Sequence, residues 1–519
     1  MKREFRRLRR VPCMLLAVWL SSAGIASAGE RAGACAAESL PGMDGGLRPT
    51  VVGPEAPRPR WSLRARMAHY HVPGVAIAVI RDGEVVQAAG CGVRKAGAGE
   101  PIDADTVFSV GSVSKIVAAA TTLRLVDAGK LSLDADVAGY LERWRVPEYA
   151  AGSPAVTLRM LLSHTAGFNV HGFDDYAPGA PLPNLLQTLR GQPPAKNEAL
   201  RLVDAPGTRM RYSGGGVQVE QLVLEDVSGR DFAGLAASEV FVPLGMRRST
   251  FENPLPERIG NIAHAHDRDG RPAAQPRGWE SFPEQAASGL WTSAADLGTF
   301  VAALLQSHRE RNGFLSRQVA GEMMTEVWPS LHGLGPRLLG EGRTRFFHHG
   351  GANDSYRAWI EGHLSSGNGL VVLTNGNRGG GLMMEIRNAL TDALDDGINP
   401  PVLALPREAG IPPAEVVGTY VAAPEAAQAM SGNLAVLLAS LRVSVQAVPG
   451  GLGLRVPQEP GEEDATFDLM PLTRTRFIAP DSGDPDLLHV VFRRDARGKV
   501  EGVQVDRGDA RVYLRRIVP

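Results

Sequence analysis

This chain of 519 residues contains few cysteines and few lysines, and its net charge is close to zero. Its three cysteines, Cys13, Cys35 and Cys91, lack the spacing of a metal site. The formal net charge of −1 argues against a nucleic-acid binder, since such proteins need a basic surface, so we expect no nucleic acid as a partner. Lysine occurs at only six positions, and arginine supplies most of the positive charge. A lysine that lies within a motif is therefore informative.

Residues 1–28 have the three parts of a secretory signal peptide. Six basic residues lie within the first ten positions, residues 11–20 are apolar but too few to span a bilayer, and Ala26-Ser27-Ala28 fits the cleavage pattern. An uncleaved anchor is the alternative. We expect cleavage, no stable membrane span afterwards, and a periplasmic or secreted location. Cys35 and Cys91 could pair in such an oxidising compartment, although the sequence leaves their pairing open.

Length and composition predict two domains. Residues 29–60 are rich in Gly, Ala and Pro and are predicted to be an N-terminal linker, and residues 399–414 contain five prolines and are predicted to be a second one. Residues 61–398 between them mix helical and strand-like patterns. Residues 415–519 contain short strand-like runs with turns, which predicts a small all-β barrel or sandwich. We expect this part either to shape the pocket or only to stabilise the chain.

Hydrophobic periodicity and turn residues predict the elements of the larger domain. The turn signal Asp82-Gly83 predicts a hairpin, and Ser293 with Asp296 predicts a capping box at a helix start. The predicted strands are 74–80, 84–89, 344–349, 356–361 and 369–374, and the predicted helices are 112–129, 157–162, 185–189, 217–227, 293–305 and 382–394.

One of the six lysines lies in the motif Ser112-Val-Ser-Lys115, at the start of an apolar helical run. Residues three apart share a helix face, so the two side chains are expected to be neighbours. The first turn of a helix also offers unpaired N–H groups to a developing negative charge. Lysine can take a proton from serine, whereas arginine stays protonated. The motif predicts a nucleophilic serine; by itself, a chance match is the alternative.

A serine hydroxyl needs a base before it attacks a carbonyl. Tyr212, in Tyr212-Ser-Gly-Gly-Gly, is a candidate, because a nearby cation favours the phenolate form. His164 in Ser163-His-Thr-Ala-Gly167 is a further candidate base, but we expect it to hold its turn by hydrogen bonds. This chemistry requires no metal and no cofactor.

Several pieces in fixed order resemble the β-lactamase-related serine hydrolase family. This family includes class C β-lactamases, D-alanyl-D-alanine carboxypeptidases, D-aminopeptidases and esterases. The resemblance spans about residues 60–395, and the tail is similar to lipocalin-like β-domains. It implies an α+β fold of the β-lactamase/transpeptidase type, in which helices flank an antiparallel sheet, with an all-helical subdomain and a following β-barrel. The matching pieces are residues 106–115, 157–167, 212–216, 289–297 and 349–351.

The resemblance also implies roles for particular residues. Ser112 matches the nucleophile, Lys115 the lysine beside it, and Tyr212 the tyrosine that serves as base or proton shuttle. His349-Gly350-Gly351 matches the third motif, whose strand borders the pocket and whose neighbour supplies an oxyanion N–H. The implied activity is hydrolysis of a small ester, D-peptide or β-lactam through an acyl-enzyme.

Two positions depart from the family pattern. Gly214 replaces the Asn of Tyr-x-Asn, which orients a substrate amide, and His349 replaces a fixed cation that recognises carboxylates. Both departures favour an esterase or a D-amino-acid peptidase over a true β-lactamase.

Two other functions remain open. A penicillin-binding receptor or scaffold would acylate with little or no turnover. A metal hydrolase would use the alternating histidines His69 and His71, or His264 and His266, although no spacing provides a third ligand. The sequence does not indicate an oligomeric state.

Overall fold

The structure is a computed structural model. It describes residues 35–54, 59–177, 179–273, 279, 281–309, 313–394, 396–422, 442–457, 464–480, 488–507 and 510–517. The predicted signal peptide, residues 1–28, lies outside the described residues.

The strands lie between residues 51 and 109, between residues 291 and 403, and between residues 418 and 516. They are β1 Val51–Val52, β2 Gly74–Arg81, β3 Glu84–Gly92, β4 Val107–Ser109, β5 Trp291–Ser293, β6 Arg337–Leu339, β7 Phe346–Ala352, β8 Arg357–His363, β9 Gly369–Thr374, β10 Val402–Leu403, β11 Gly418–Ala422, β12 Arg442–Val448, β13 Gly451–Val456, β14 Ala465–Pro471, β15 Arg476–Ala479, β16 Leu488–Arg494, β17 Val500–Arg507 and β18 Ala510–Arg516.

Most helices lie between β1 and β10. They are α1 Leu63–His69, α2 Ser114–Asp127, α3 Leu158–Leu162, α4 Leu185–Arg190, α5 Gly214–Ser228, α6 Phe232–Ala236, α7 Val242–Leu244, α8 Gln285–Ser288, α9 Ala294–Arg309, α10 Arg317–Met323, α11 Gly379–Leu394 and α12 Pro413–Val416.

A six-stranded antiparallel sheet with the order β3-β2-β9-β8-β7-β6 forms the centre of the larger domain. The predicted β2–β3 hairpin is confirmed. At its turn, Asp82 has φ 49° and Gly83 has φ 81°, the left-handed pair that a tight two-residue hairpin requires. The strands predicted from residues 344, 356 and 369 onwards are β7, β8 and β9.

Both faces of the inner strand β2 are buried, because this strand is apolar on both sides. Its alternating residues enter two separate cores. Helix α9 covers one face and helix α11 the other. Residues 76, 78 and 80 join the larger core, and residues 75, 77 and 79 join the smaller one.

Helices α2, α3, α5, α6 and α8 also contribute buried residues to the larger core. Helix α5 begins at Gly214, three residues earlier than predicted, because the Ser213 hydroxyl caps it by accepting a hydrogen bond from Gly216 N at 3.0 Å. Only the serine half of the capping box predicted at Ser293 and Asp296 is present. Ser293 accepts from Asp296 N at 3.2 Å, whereas the Asp296 carboxylate accepts from Arg248 N and the Ser249 hydroxyl.

The described part of the first predicted linker packs against the larger domain, and the second pairs with it and packs against the barrel. Met43 and Leu47 are fully buried in the smaller core, and β1 pairs in parallel with β10. A disulfide joins Cys35 to Cys91 of β3, with 4.2 Å between their Cα atoms. The pairing that the sequence left open is thus formed in the structure.

Strands β11 to β18 close into an eight-stranded antiparallel barrel, which selects the barrel over the sandwich. Its interior is filled by buried side chains such as Tyr420, Phe477 and Phe492. The fold of an α+β domain followed by a small all-β barrel therefore matches the prediction. Over the described ranges, no helix combines the length and apolar content that a bilayer crossing needs.

Candidate active site

Ser112 lies in a single 3-10 turn, Gly111–Val113, which leads directly into α2. The Lys115 ammonium donates to Ser112 Oγ at 3.0 Å, so the structure brings these two predicted residues together. Lys115 is buried, whereas Ser112 is partly exposed. A partly exposed serine is thus held against an amine enclosed by protein.

Glycines permit the close approach of β7 to this turn. Gly111 has φ 49°, a left-handed conformation that disfavours other residues. A Cβ on Gly351 would lie 1.9 Å from Val110 O, so only glycine fits opposite the turn. The predicted glycine of the third motif therefore lets the strand lie beside the serine.

A second set of bonds fixes the turn from the opposite side. The Ser114 hydroxyl donates to Gly111 O at 2.6 Å and accepts from Leu290 N at 2.9 Å. Lys115 Nζ also donates to Ala287 O at 2.8 Å. Ala287 belongs to α8, which therefore orients the lysine. Its backbone carbonyl has no sequence signature, and nothing in the pattern could have identified it.

Tyr212 lies beside Lys115, with 5.0 Å between Nζ and the centre of the ring. Its chain segment is held on both sides. Arg211 N donates to His164 O at 2.8 Å, Ser213 N donates to His164 Nδ1 at 3.3 Å, and the Ser213 hydroxyl donates to Val170 O at 2.8 Å. His164 thus holds the segment that carries the tyrosine.

Histidine rings form a wall around the tyrosine. The ring centres of His164 and His171 lie 4.3 and 5.1 Å from that of Tyr212, and those of His332 and His349 lie 6.2 and 6.3 Å away. His171 and His332 are the members of this wall that the sequence motifs did not indicate. His332 comes from the loop before β6.

The buried histidines of this wall, His164, His332 and His349, are uncharged at neutral pH. Burial, followed by the charge of Lys115, lowers the pKa of His349 to about 3, and burial with the charge of Arg337 lowers the pKa of His332 to about 3. Burial also holds the pKa of His164 well below its usual value. His349 Nδ1 contacts Gly350 O at 2.7 Å. His349 therefore supplies no fixed positive charge in place of the family's cation.

The edge of β7 that lies beside the serine has backbone N–H groups that point away from β8. Asn353 N donates to Tyr356 O and Leu364 N to Arg345 O, so the odd-numbered residues of β7 pair with β8. The N–H of Ala352 consequently points away from β8, and β6 pairs only with residues 346–348 of β7. Ala352 N lies 3.0 Å from where a Cβ on Gly111 would be. Ala352 is the neighbour of the third motif that was expected to supply an N–H.

The arrangement can support acyl transfer. Ser112 is partly exposed, the Lys115 amine contacts its hydroxyl, the Tyr212 ring lies beside that amine, and backbone N–H groups of the turn and of β7 face the same space. In the described part of the chain, no three His, Cys, Asp or Glu side chains are grouped as metal ligands. The alternating histidines are used differently; His266, for example, contacts Asn375 O and Ala96 N.

Residues 62–394 match the family model described as Beta-lactamase. The chain is 28% identical to penicillin-binding protein 4 of Amycolatopsis lactamdurans over 69% of this chain and 95% of the relative. It is 34% identical to esterase EstB of Burkholderia gladioli over 38% of this chain and 51% of the relative. It is 26% identical to a D-aminopeptidase of Brucella canis over 56% of this chain and 54% of the relative, so it spans about half the length of these last two.

Solved structures share the fold. A penicillin-binding protein homologue from Pyrococcus abyssi, described as octameric, aligns over 87% of this chain and 98% of its own with a TM-score of 0.55 and 22% identity. EstCE1, described as a hydrolase with promiscuous acyltransferase activity, aligns over 63% of this chain and 96% of its own with a TM-score of 0.52 and 24% identity.

Proposed function

The chain belongs to the Beta-lactamase family, and from this premise we propose that it is a serine hydrolase that cleaves ester or amide bonds through an acyl-enzyme on Ser112. The observation that carries the proposal is the 3.0 Å contact between Lys115 Nζ and Ser112 Oγ in a partly exposed turn. In this proposal, Lys115 and Tyr212 move the serine proton to the leaving group.

The oxyanion of the tetrahedral intermediate is bound by the N–H groups of Ser112 and Ala352. Ser112 lies in the turn before α2, and the free edge of β7 holds the second donor beside it. Removing one donor of this kind costs about 10²–10³-fold in kcat in measured cases. His349, Gly350 and Gly351 border the same space, so the acyl group or leaving group of the substrate passes along this edge.

The substrate is a small ester, a D-peptide or a β-lactam. The named relatives include an esterase and a D-aminopeptidase. The neutral His349 argues against strong recognition of a carboxylate. Gly214 leaves no amide side chain where the family has Asn. Both features favour an ester substrate.

A test compares the wild-type protein with Ser112→Ala. Each is incubated with a fluorophosphonate probe, a chromogenic cephalosporin and short p-nitrophenyl esters. We expect labelling and ester hydrolysis in the wild type and loss of both in the variant. Turnover that survives Ser112→Ala and is abolished by a chelator would support metal chemistry instead.

Labelling without turnover is the signature of the alternative function, a penicillin-binding receptor. The similarity to penicillin-binding protein 4 over nearly its whole length favours this alternative. A deacylation assay separates the two, because a receptor would keep the acyl group for hours whereas a hydrolase would release it.

Export through a signal peptide at residues 1–28 is also proposed. The Cys35–Cys91 disulfide supports it, because such bonds persist in oxidising compartments. N-terminal sequencing of the secreted protein should give a start at residue 29.

A further inference from the structure

The backbone around Gly214 directs this position towards the site. Ser213 is extended, with φ −142° and ψ 111°. In extended backbone, side chains two apart point to the same side. The ring of Tyr212 contacts Lys115, so a side chain at position 214 would face the same region.

Phe173 already fills that region. A Cβ on Gly214 would lie 3.0 Å from Cε2 and 3.5 Å from Cδ2 of the Phe173 ring, and 3.1 Å from His171 O. The approach is fixed by the backbone, since Gly214 N donates to His171 O at 2.9 Å and Gly215 N donates to Val170 O at 3.1 Å. An Asn at position 214 would therefore require the ring to move by a few tenths of an ångström.

We propose that the Phe173 ring occupies the place of the missing amide side chain and makes this wall of the acyl site apolar, so that the enzyme selects esters of apolar acids over amides and β-lactams. The proposal rests on the proposed function, because it names the substrate class of the same site. Phe173 is half-buried.

This preference follows from the different free energies of burying an apolar acyl chain and a substrate amide against the Phe173 ring. An apolar acyl chain gains by leaving water against an aromatic ring. A substrate amide buried against the same ring loses its hydrogen bonds to water and finds no replacement on Phe173. This loss of hydrogen bonds raises the activation barrier for amide substrates more than for esters.

The first experiment measures chain-length preference. Wild type and Phe173→Ala are compared on p-nitrophenyl acetate and p-nitrophenyl hexanoate, with Ser112→Ala as the blank. We expect the hexanoate-to-acetate ratio of kcat/KM to fall about 10-fold in Phe173→Ala. Phe467→Ala, which changes a half-buried phenylalanine of the barrel, is the matched control and should keep the ratio.

The second experiment restores the amide. Gly214→Asn and the double variant Phe173→Ala/Gly214→Asn are assayed on hexanoyl p-nitroanilide and p-nitrophenyl hexanoate. We expect the single variant to lose activity on both substrates, because the Asn side chain conflicts with the ring. In the double variant, the anilide-to-ester ratio should rise about 10-fold over wild type, as the two changes are coupled.

The outcomes separate the two proposals. If no variant and no wild-type sample shows Ser112-dependent turnover, the proposed function is wrong. If turnover depends on Ser112 but the chain-length ratio in Phe173→Ala stays within about 2-fold of wild type, the role of Phe173 is overturned. An unchanged anilide-to-ester ratio in a folded double variant would overturn it as well.

Discussion

On one face of the six-stranded sheet, His349 lies beside Lys115 and Tyr212; on the other face, Glu361 and His363 of the next strand lie beside Arg387. His363 contacts Glu361 at 2.9 Å and Asp396 at 2.6 Å. Burial opposes a charge on this ring, but the two carboxylates outweigh it and raise the pKa of His363. Burial without a carboxylate leaves His349 neutral instead.

The difference shows that partners, rather than burial alone, decide which buried groups are charged. Glu361 is also fully buried, and the charges of Arg387 and His363 overcome its burial and hold its pKa well below the usual range. Near the site, Glu284 is equally buried, yet neither carboxylate oxygen accepts a hydrogen bond from another described residue. Burial raises its pKa to about 8, so it is protonated at neutral pH. The site face thus keeps its titratable groups neutral around Lys115.

The largest effect should follow from a change to Lys115 itself. Lys115→Arg puts a group that stays protonated where a proton acceptor is needed, so ester hydrolysis should fall about 10²–10⁴-fold in kcat. Lys130→Arg, an exposed lysine just after α2, should leave the rate unchanged. A folded Lys115→Arg variant with near wild-type turnover would show that Lys115 does not handle the proton.

On the opposite face, the expected effect is on stability. Glu361→Gln keeps the shape of the side chain but leaves Arg387 buried without its carboxylate, and the free energy of unfolding should fall by about 3–5 kcal/mol. Denaturant unfolding measures this. The exposed pair of Glu198 with Arg201 gives the control, since Glu198→Gln should cost less than about 1 kcal/mol. A loss of that small size for Glu361→Gln would mean that the buried network is no stronger than a surface pair.

A smaller effect should appear when Glu284 is made permanently neutral. Its folded pKa is raised, so the wild type holds this proton more tightly when folded and loses stability as pH rises from the unfolded pKa towards about 8. Relative to wild type, Glu284→Gln should therefore gain roughly 2 kcal/mol in unfolding free energy between pH 6 and pH 8. The exposed Glu408→Gln should show no such gain. If Glu284→Gln instead gained stability relative to wild type as the pH fell, Glu284 would be ionised in the folded protein.

Local pattern was enough to predict much of the fold. Asp82-Gly83 gave the hairpin because two left-handed residues need such a pair, and the three-residue spacing of Ser112 and Lys115 placed them on one helical turn. The first turn of α5 was missed, because three successive glycines signal a loop. They are helical here, and close packing favours glycine at two of the three positions: a Cβ on Gly214 would lie 3.0 Å from Phe173, and one on Gly215 would lie 3.1 Å from Val170 and from Leu200.

The rest of the site depends on contacts that sequence spacing does not encode. Ala287 O reaches Lys115 from 172 residues away, and it is a backbone atom that any residue would supply. Ala352 contributes only its backbone N–H, and the register between β7 and β8 determines where that N–H points. The ring of His332 enters from a loop with no motif of its own. Register and tertiary packing position these groups.

The most direct test of acyl transfer at Ser112 is to trap the intermediate. Wild-type protein is mixed with p-nitrophenyl hexanoate, quenched in acid within the first turnover, digested and analysed by peptide mass spectrometry. We predict a hexanoyl adduct on the peptide that contains Ser112, and none in Ser112→Ala. Ester turnover with no adduct, or an adduct on a different residue, would contradict a serine nucleophile at this turn.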